Sequence, residues 1–214
     1  MILFLLLIKI FNILIYDGNI MISSYRLGDL FFCSLTNCEQ NEILTEHPYS
    51  FGSKYILNKT KNQDIETITK IVINYIETNK HLLPIDVENS TVLHVRLGDV
   101  IGGNAWHEKL KRPIDVQYLK SIVPNNNIYI IGKCFFAKPS STNYDECISL
   151  SNMYLENVIN TLNAKHFNSG NADIDLCCAV KSKCFIQGKG YYSKLIVNIR
   201  KHLNLQNIET TEID

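Results

Sequence analysis

The chain predicts an α/β fold, a parallel sheet flanked by helices, and three observations carry that reading. Short β-branched or apolar runs stand at residues 91–95, at Ile128–Ile131 and at 183–187. Longer stretches with apolar residues at helical spacing lie between and before them, at 62–79 and 140–164. The runs break at glycines, Gly98, Gly132 and Gly188, as strand-to-helix connections in a parallel sheet require. Together they describe a Rossmann-like arrangement whose ligand site belongs at the strand ends.

With 214 residues the chain is long enough to bury a substantial core. Its 21 basic and 21 acidic residues balance, so neither a nucleic-acid footprint nor a polybasic membrane surface is implied. Seven cysteines without a repeated C-x-x-C spacing argue against a zinc site and give little support to disulfides. They read as reduced, buried, small apolar residues.

In chain order, residues 1–16 are almost wholly apolar, interrupted by Lys9 and Asn12. That length exceeds an ordinary strand and falls short of a membrane span. Three readings of residues 1–20 stay open: a signal anchor that would allow membrane association, a first buried strand, or an extension ahead of a start at Met21. The chain is accordingly cytoplasmic or anchored through this segment. Residues 20–22 read as a strand entering a loop at Gly28, followed by an apolar run that opens a helix. Residues 34–60 are irregular. The apolar residues Ile65, Ile68, Ile71, Val72, Tyr75 and Ile76 mark one face of a helix that packs on a sheet.

The most informative stretch is residues 91–103, a buried strand followed by His94, Arg96, Asp99 and three glycines. Lysines number seventeen and arginines four, so an arginine at a strand end stands out. Its planar fork of donors matches a phosphate or a carboxylate; pairing with Asp99 to tie down a turn is the other reading. Trp106 and Glu108 follow in a polar loop, where an indole beside an acid makes a sugar platform or a plug at the edge of the core. A short helix is expected over residues 113–123, a turn at 125–127 and a buried strand at Ile128–Ile131. The third informative stretch begins with Asp173 and Asp175 at a helix start. It continues through the 183–187 strand and a loop over 188–193, and ends in a helix from Lys194 to Leu203. Strand, glycine loop and helix make a cradle for phosphate. Asp173 and Asp175 also invite a metal reading.

Residues 94–99, His-Val-Arg-Leu-Gly-Asp, resemble the His-x-Arg-x-Gly-Asp signature of the fucosyltransferase superfamily. That group comprises α-1,2-, α-1,6- and protein O-fucosyltransferases. There the signature closes a strand of the nucleotide-sugar-binding half, and its arginine contacts the diphosphate of GDP-fucose. Leu97 stands where many members carry a second arginine. The Gly28 loop is similar to the Gly-Leu-Gly-Asn loop of the α-1,2 branch, and residues 173–193 resemble the family's C-terminal motif by pattern.

The resemblance implies a reduced GT-B-like architecture: an apolar segment 1–20, a reduced α/β part 21–87 and a Rossmann-like nucleotide-sugar-binding domain 88–208. It implies metal-independent transfer of a sugar, fucose from GDP-fucose, to a glycan or protein acceptor, with no cofactor. Arg96 and Asp99 would serve catalysis, Asp99 sharing with Glu108 the candidacy for general base. Gly28, His94, Arg96, Asp175, Gly190, Tyr192 and Ser193 would hold the donor. The alternative is a nucleotide-sugar-binding protein without turnover.

Overall fold

The computed structural model describes residues 15–16, 19–20, 65–98, 101, 113–124, 127–135 and 144–210. Five α-helices are described: α1 (Ile65–Asn79), α2 (Val116–Ile122), α3 (Tyr144–Leu162), α4 (Ala172–Lys181) and α5 (Tyr191–His202), with two single 3-10 turns at Lys80–Leu82 and Val87–Asn89. The strands are β1 (Ile15–Tyr16), β2 (Asn19–Ile20), β3 (Thr91–His94), β4 (Leu97–Gly98), β5 (Ile128–Ile131), β6 (Cys134–Phe135), β7 (Lys165–His166), β8 (Cys184–Ile186) and β9 (Gln206–Ile208). β1 and β2 pair antiparallel, and β4 and β6 form a small parallel pair.

The main sheet has the order β7-β5-β3-β8-β9, and every pairing in it is parallel. Numbered by their own chain order these five strands run 3-2-1-4-5, the doubly wound arrangement. β3 is central, and all four of its residues are buried. Its pleat sends Val92 to one face and Leu93 to the other. Tyr129, Ile131 and Phe185 join Val92 in a core built with α1, α4 and α5. Ile128, Ile130 and Ile186 join Leu93 in a second core with α2 and α3. A strand packed on both faces must be apolar at nearly every position, which is why the runs at 91–95 and Ile128–Ile131 are legible in the sequence.

Two departures from the sequence reading matter for the site. The last helix starts at Tyr191 rather than Lys194, so Tyr192 and Ser193 lie in its first turn and not in a loop. Gly190 makes this start: its φ of 98° and ψ of 175° are a glycine conformation, and it caps α5 with no side-chain hydrogen bond. The second departure is at the sheet edges, where β7 and β9 add strands that polar composition had hidden.

Arg200, on the last turns of α5, is wholly buried. Its Nη1 donates to the carbonyls of Ala179, Val180 and Ser182 at 2.7, 2.8 and 2.9 Å, its Nη2 to Gln206 O at 2.6 Å, and its Nε to Asn207 Oδ1 at 2.9 Å. Burial lowers its pKa to about 10, so it stays cationic at neutral pH. The partial negative charge at the end of α4 serves as counter-charge. One side chain thereby ties α4, β9 and α5 together at the end of the sheet opposite the strand C-termini.

Candidate functional site

The chain leaves β3 for α2 on one face of the sheet and leaves β8 for α5 on the other. The two connections diverge, and the crevice between the ends of β3 and β8 is the switch point where open α/β sheets bind ligands. His94 ends β3 and Arg96 follows it, and Gly188, Lys189 and Gly190 follow β8. Residues 90 or more positions apart in sequence therefore face each other across this crevice.

The contacts there are close. A Cβ on Gly190 would lie 2.7 Å from Arg96 Nη1, so the guanidinium rests on the glycine at the start of α5. A Cβ on Gly188 would lie 2.1 Å from the His94 carbonyl oxygen and 2.6 Å from His94 Nδ1. At Gly188 a side chain would collide with main chain, and at Gly190 it would meet both the positive φ and the guanidinium. Arg96, Lys189 and Gly190 are partly exposed, and Arg96 and Lys189 line one small hollow with Val95, Pro113, Ile114 and Tyr154. Two cations thus line the same hollow, and one of them, Arg96, also rests on the start of α5.

Behind this surface lies a buried layer. Ser193 is fully buried, and its Oγ lies 2.5 Å from His94 Nδ1, a hydrogen bond between residues 99 apart in the chain. The His94 and Tyr192 rings pack at 5.1 Å, tilted by 48°. Tyr192 donates its hydroxyl hydrogen bond to Ala172 O at 2.6 Å, fixing the start of α5 to the start of α4. Burial, and then the charge of Arg96, lowers the His94 pKa to about 3, so the imidazole is neutral. Burial pushes the Tyr192 phenol well above its ordinary value.

Asp175 sits apart from the crevice surface, buried in the first turns of α4, where its Oδ1 accepts from Ser169 Oγ at 2.6 Å. Burial raises its pKa to about 8. The α4 start is capped by Asn171, whose side chain accepts from the Asp173 N–H at 2.8 Å. Among the described residues no three His, Cys, Asp or Glu side chains group to hold a metal ion.

The structure therefore brings together His94, Arg96, Gly190, Tyr192 and Ser193, with Asp175 on the adjoining helix start. Gly28, Asp99, Trp106 and Glu108 lie outside the described residues. Leu97 is a buried core residue in β4, paired with Cys134. Gly188 was read from sequence as a break after a strand and the start of a loop, not as a site residue. Its signal was the Gly-x-Gly spacing with Gly190, which places one glycine against each of His94 and Arg96. A groove between α1 and the end of α5, lined by Ile73, Asn74 and Leu203, lies on the outer helical layer and belongs to no part of this site.

The described residues include no helix long and apolar enough to cross a membrane. A scan against protein-family models matched none to this chain, and a search of curated proteins likewise produced no match.

Proposed function

We propose that the chain is a fucosyltransferase-like glycosyltransferase of reduced GT-B-like architecture, which uses a nucleotide sugar, GDP-fucose in the first instance, and holds its diphosphate at the crevice between β3 and β8. The observation that carries this reading is the Arg96 guanidinium resting on Gly190 at an α5 start that has no side-chain cap. A guanidinium beside a helix start sets a planar fork of donors next to backbone N–H groups, and with Lys189 lining the hollow by Arg96 that combination suits a diphosphate.

In the reaction an acceptor hydroxyl oxygen forms a bond to the anomeric carbon, and the bond from that carbon to the diphosphate breaks. The electron pair departs with the nucleoside diphosphate, and the hydroxyl proton passes to a carboxylate, for which Asp99 is the first candidate beyond Arg96 in the chain. Fixed donors at the developing charge lower such a barrier by about 3 kcal/mol each. Arg96 and Asp99 are the catalytic residues in this scheme. No metal ion is required by it, and transfer is expected to survive EDTA.

A second reading, donor binding without turnover, is favoured by Leu97, an apolar core residue where many fucosyltransferases have another arginine. Transfer of labelled fucose to a panel of glycan and protein acceptors separates the two.

The test is a thermal-shift panel of nucleoside diphosphates and their sugars on wild type and Arg96→Lys. GDP and GDP-fucose should stabilise the wild type most, through mass action on the folded state. Arg96→Lys should fold normally and lose at least about tenfold in affinity, because an ammonium cannot reproduce the bidentate fork. Unchanged GDP stabilisation in Arg96→Lys would sink the assignment.

A further inference from the structure

His94 and Ser193 are polar residues at a strand end and a helix start, the places where ligand contacts are expected, yet both are turned inward. His94 is 7% exposed and Ser193 0%. Each spends a polar atom on the other, Ser193 Oγ on His94 Nδ1 at 2.5 Å. The imidazole is further held by the Tyr192 ring and by Gly188, whose backbone runs against both its ring and its carbonyl. Tyr192 is in turn tied to Ala172 O. A neutral, enclosed imidazole offers a phosphate no charge and little surface.

We propose that His94 and Ser193 are positioning residues, whose buried hydrogen bond locks the glycine loop and the first turn of α5 against the end of β3. The lock sets where Gly190 and the Arg96 guanidinium stand relative to each other. Its effect on donor affinity rests on the function proposed above; the lock itself does not. In a parallel sheet the loops after β3 and β8 leave in opposite directions, so a contact between them is what keeps the crevice at one width. The hydrogen bond joins the residue that ends β3 to the third residue of α5, with Gly188 packed between their two segments. Small, buried side chains suit that role, and long, partly exposed ones such as Arg96 and Lys189 suit the ligand.

Two isosteric substitutions on the 214-residue chain separate a lock from a ligand contact. An asparagine side chain reproduces the Nδ1 end of histidine, and a glutamine reproduces the Nε2 end. His94→Asn should therefore keep the bond to Ser193 and bind GDP within about threefold of wild type, whereas His94→Gln and Ser193→Ala should each weaken GDP by about tenfold. In ligand-free protein, amide hydrogen exchange over residues 187–194 should quicken by about tenfold in Ser193→Ala and His94→Gln and stay near wild type in His94→Asn, with β3 and β5 unaffected. GDP binding kept by His94→Gln and lost by His94→Asn would overturn the proposal and make His94 a ligand contact. Unchanged ligand-free exchange in Ser193→Ala would overturn it as well. If wild type fails to bind GDP, the proposed function falls, and the ligand-free exchange still decides the lock.

Discussion

Replacing Gly190 by alanine strains the backbone and displaces the Arg96 guanidinium in one step, and the structure supplies both magnitudes. At φ 98° and ψ 175° the residue occupies a region reserved for glycine, where another residue costs about 1–3 kcal/mol. The added Cβ would sit 2.7 Å from Arg96 Nη1, and the guanidinium, the far end of a flexible side chain, would move to accommodate it. For a chain of this size, about 2 kcal/mol lowers Tm by roughly 4–8 °C. Losing one charge-assisted hydrogen bond to the ligand, about 1.5–3 kcal/mol, weakens GDP by roughly 10- to 100-fold. Gly170→Ala is the matched control, because Gly170 also has positive φ (74°) but nothing stands within 4 Å of its Cβ position. It should cost comparable stability and leave GDP affinity unchanged. Thermal unfolding and calorimetric titration on the three proteins read both effects. A folded Gly190→Ala protein that binds GDP within twofold of wild type would remove this turn from the site.

Other substitutions probe the scaffold. Arg200→Met leaves the carbonyls of Ala179, Val180 and Gln206 without their donor and should cost about 3 kcal/mol or more in urea unfolding; a loss below about 1 kcal/mol would contradict the clamp. His94 has its pKa lowered from 6.5 to about 3, so the unfolded chain binds the extra proton between those values. Stability from this group is complete above pH 6.5 and is lost as pH falls toward 3, at a slope of order 1 kcal/mol per unit that His94→Asn should abolish. Asp175 works in the opposite sense: with its pKa raised from 3.8 to about 8, the folded chain holds the extra proton, so its contribution is complete below pH 3.8 and is lost as pH rises to 8. Asp175→Asn should therefore gain on wild type steadily across that interval, and parallel stability curves would refute the buried-acid assignment.

How far the sequence discloses the structure depends on where each residue's partners come from. β3 and β5 were legible because burial on both faces leaves a run of apolar residues that nothing else explains. β7 and β9 were not, since Lys165–His166 and Gln206–Ile208 are edge strands of two or three largely polar residues, none of them fully buried, whose pairing leaves no apolar run in the sequence. The glycines after β8 were visible as a loop. That Gly190 begins α5 three residues early depends on a positive φ that no composition records. Arg96 stood out by its rarity and position. Arg200 did not, because its partners are main-chain carbonyls assembled from three separate segments. The His94–Ser193 bond was hidden for the same reason, although each residue had been singled out for a site.

The strand order also has a consequence during synthesis. β3 sits between β5 and β8, and its second neighbour is encoded about 90 residues after it. At ordinary rates of translation that is on the order of 5–20 s during which β5 is present and the other edge of the central strand has no mate. Thr91, Val92 and Leu93 would offer their open amides and carbonyls to any extended segment that arrives first, including the same strand on a neighbouring nascent chain. A ribosome paused before Cys184 prolongs that exposure, which ends once β8 and β9 have left the ribosome and closed the edge. Soluble yield of this chain should thus depend more on codon choice between residues 95 and 184 than on codon choice beyond β9.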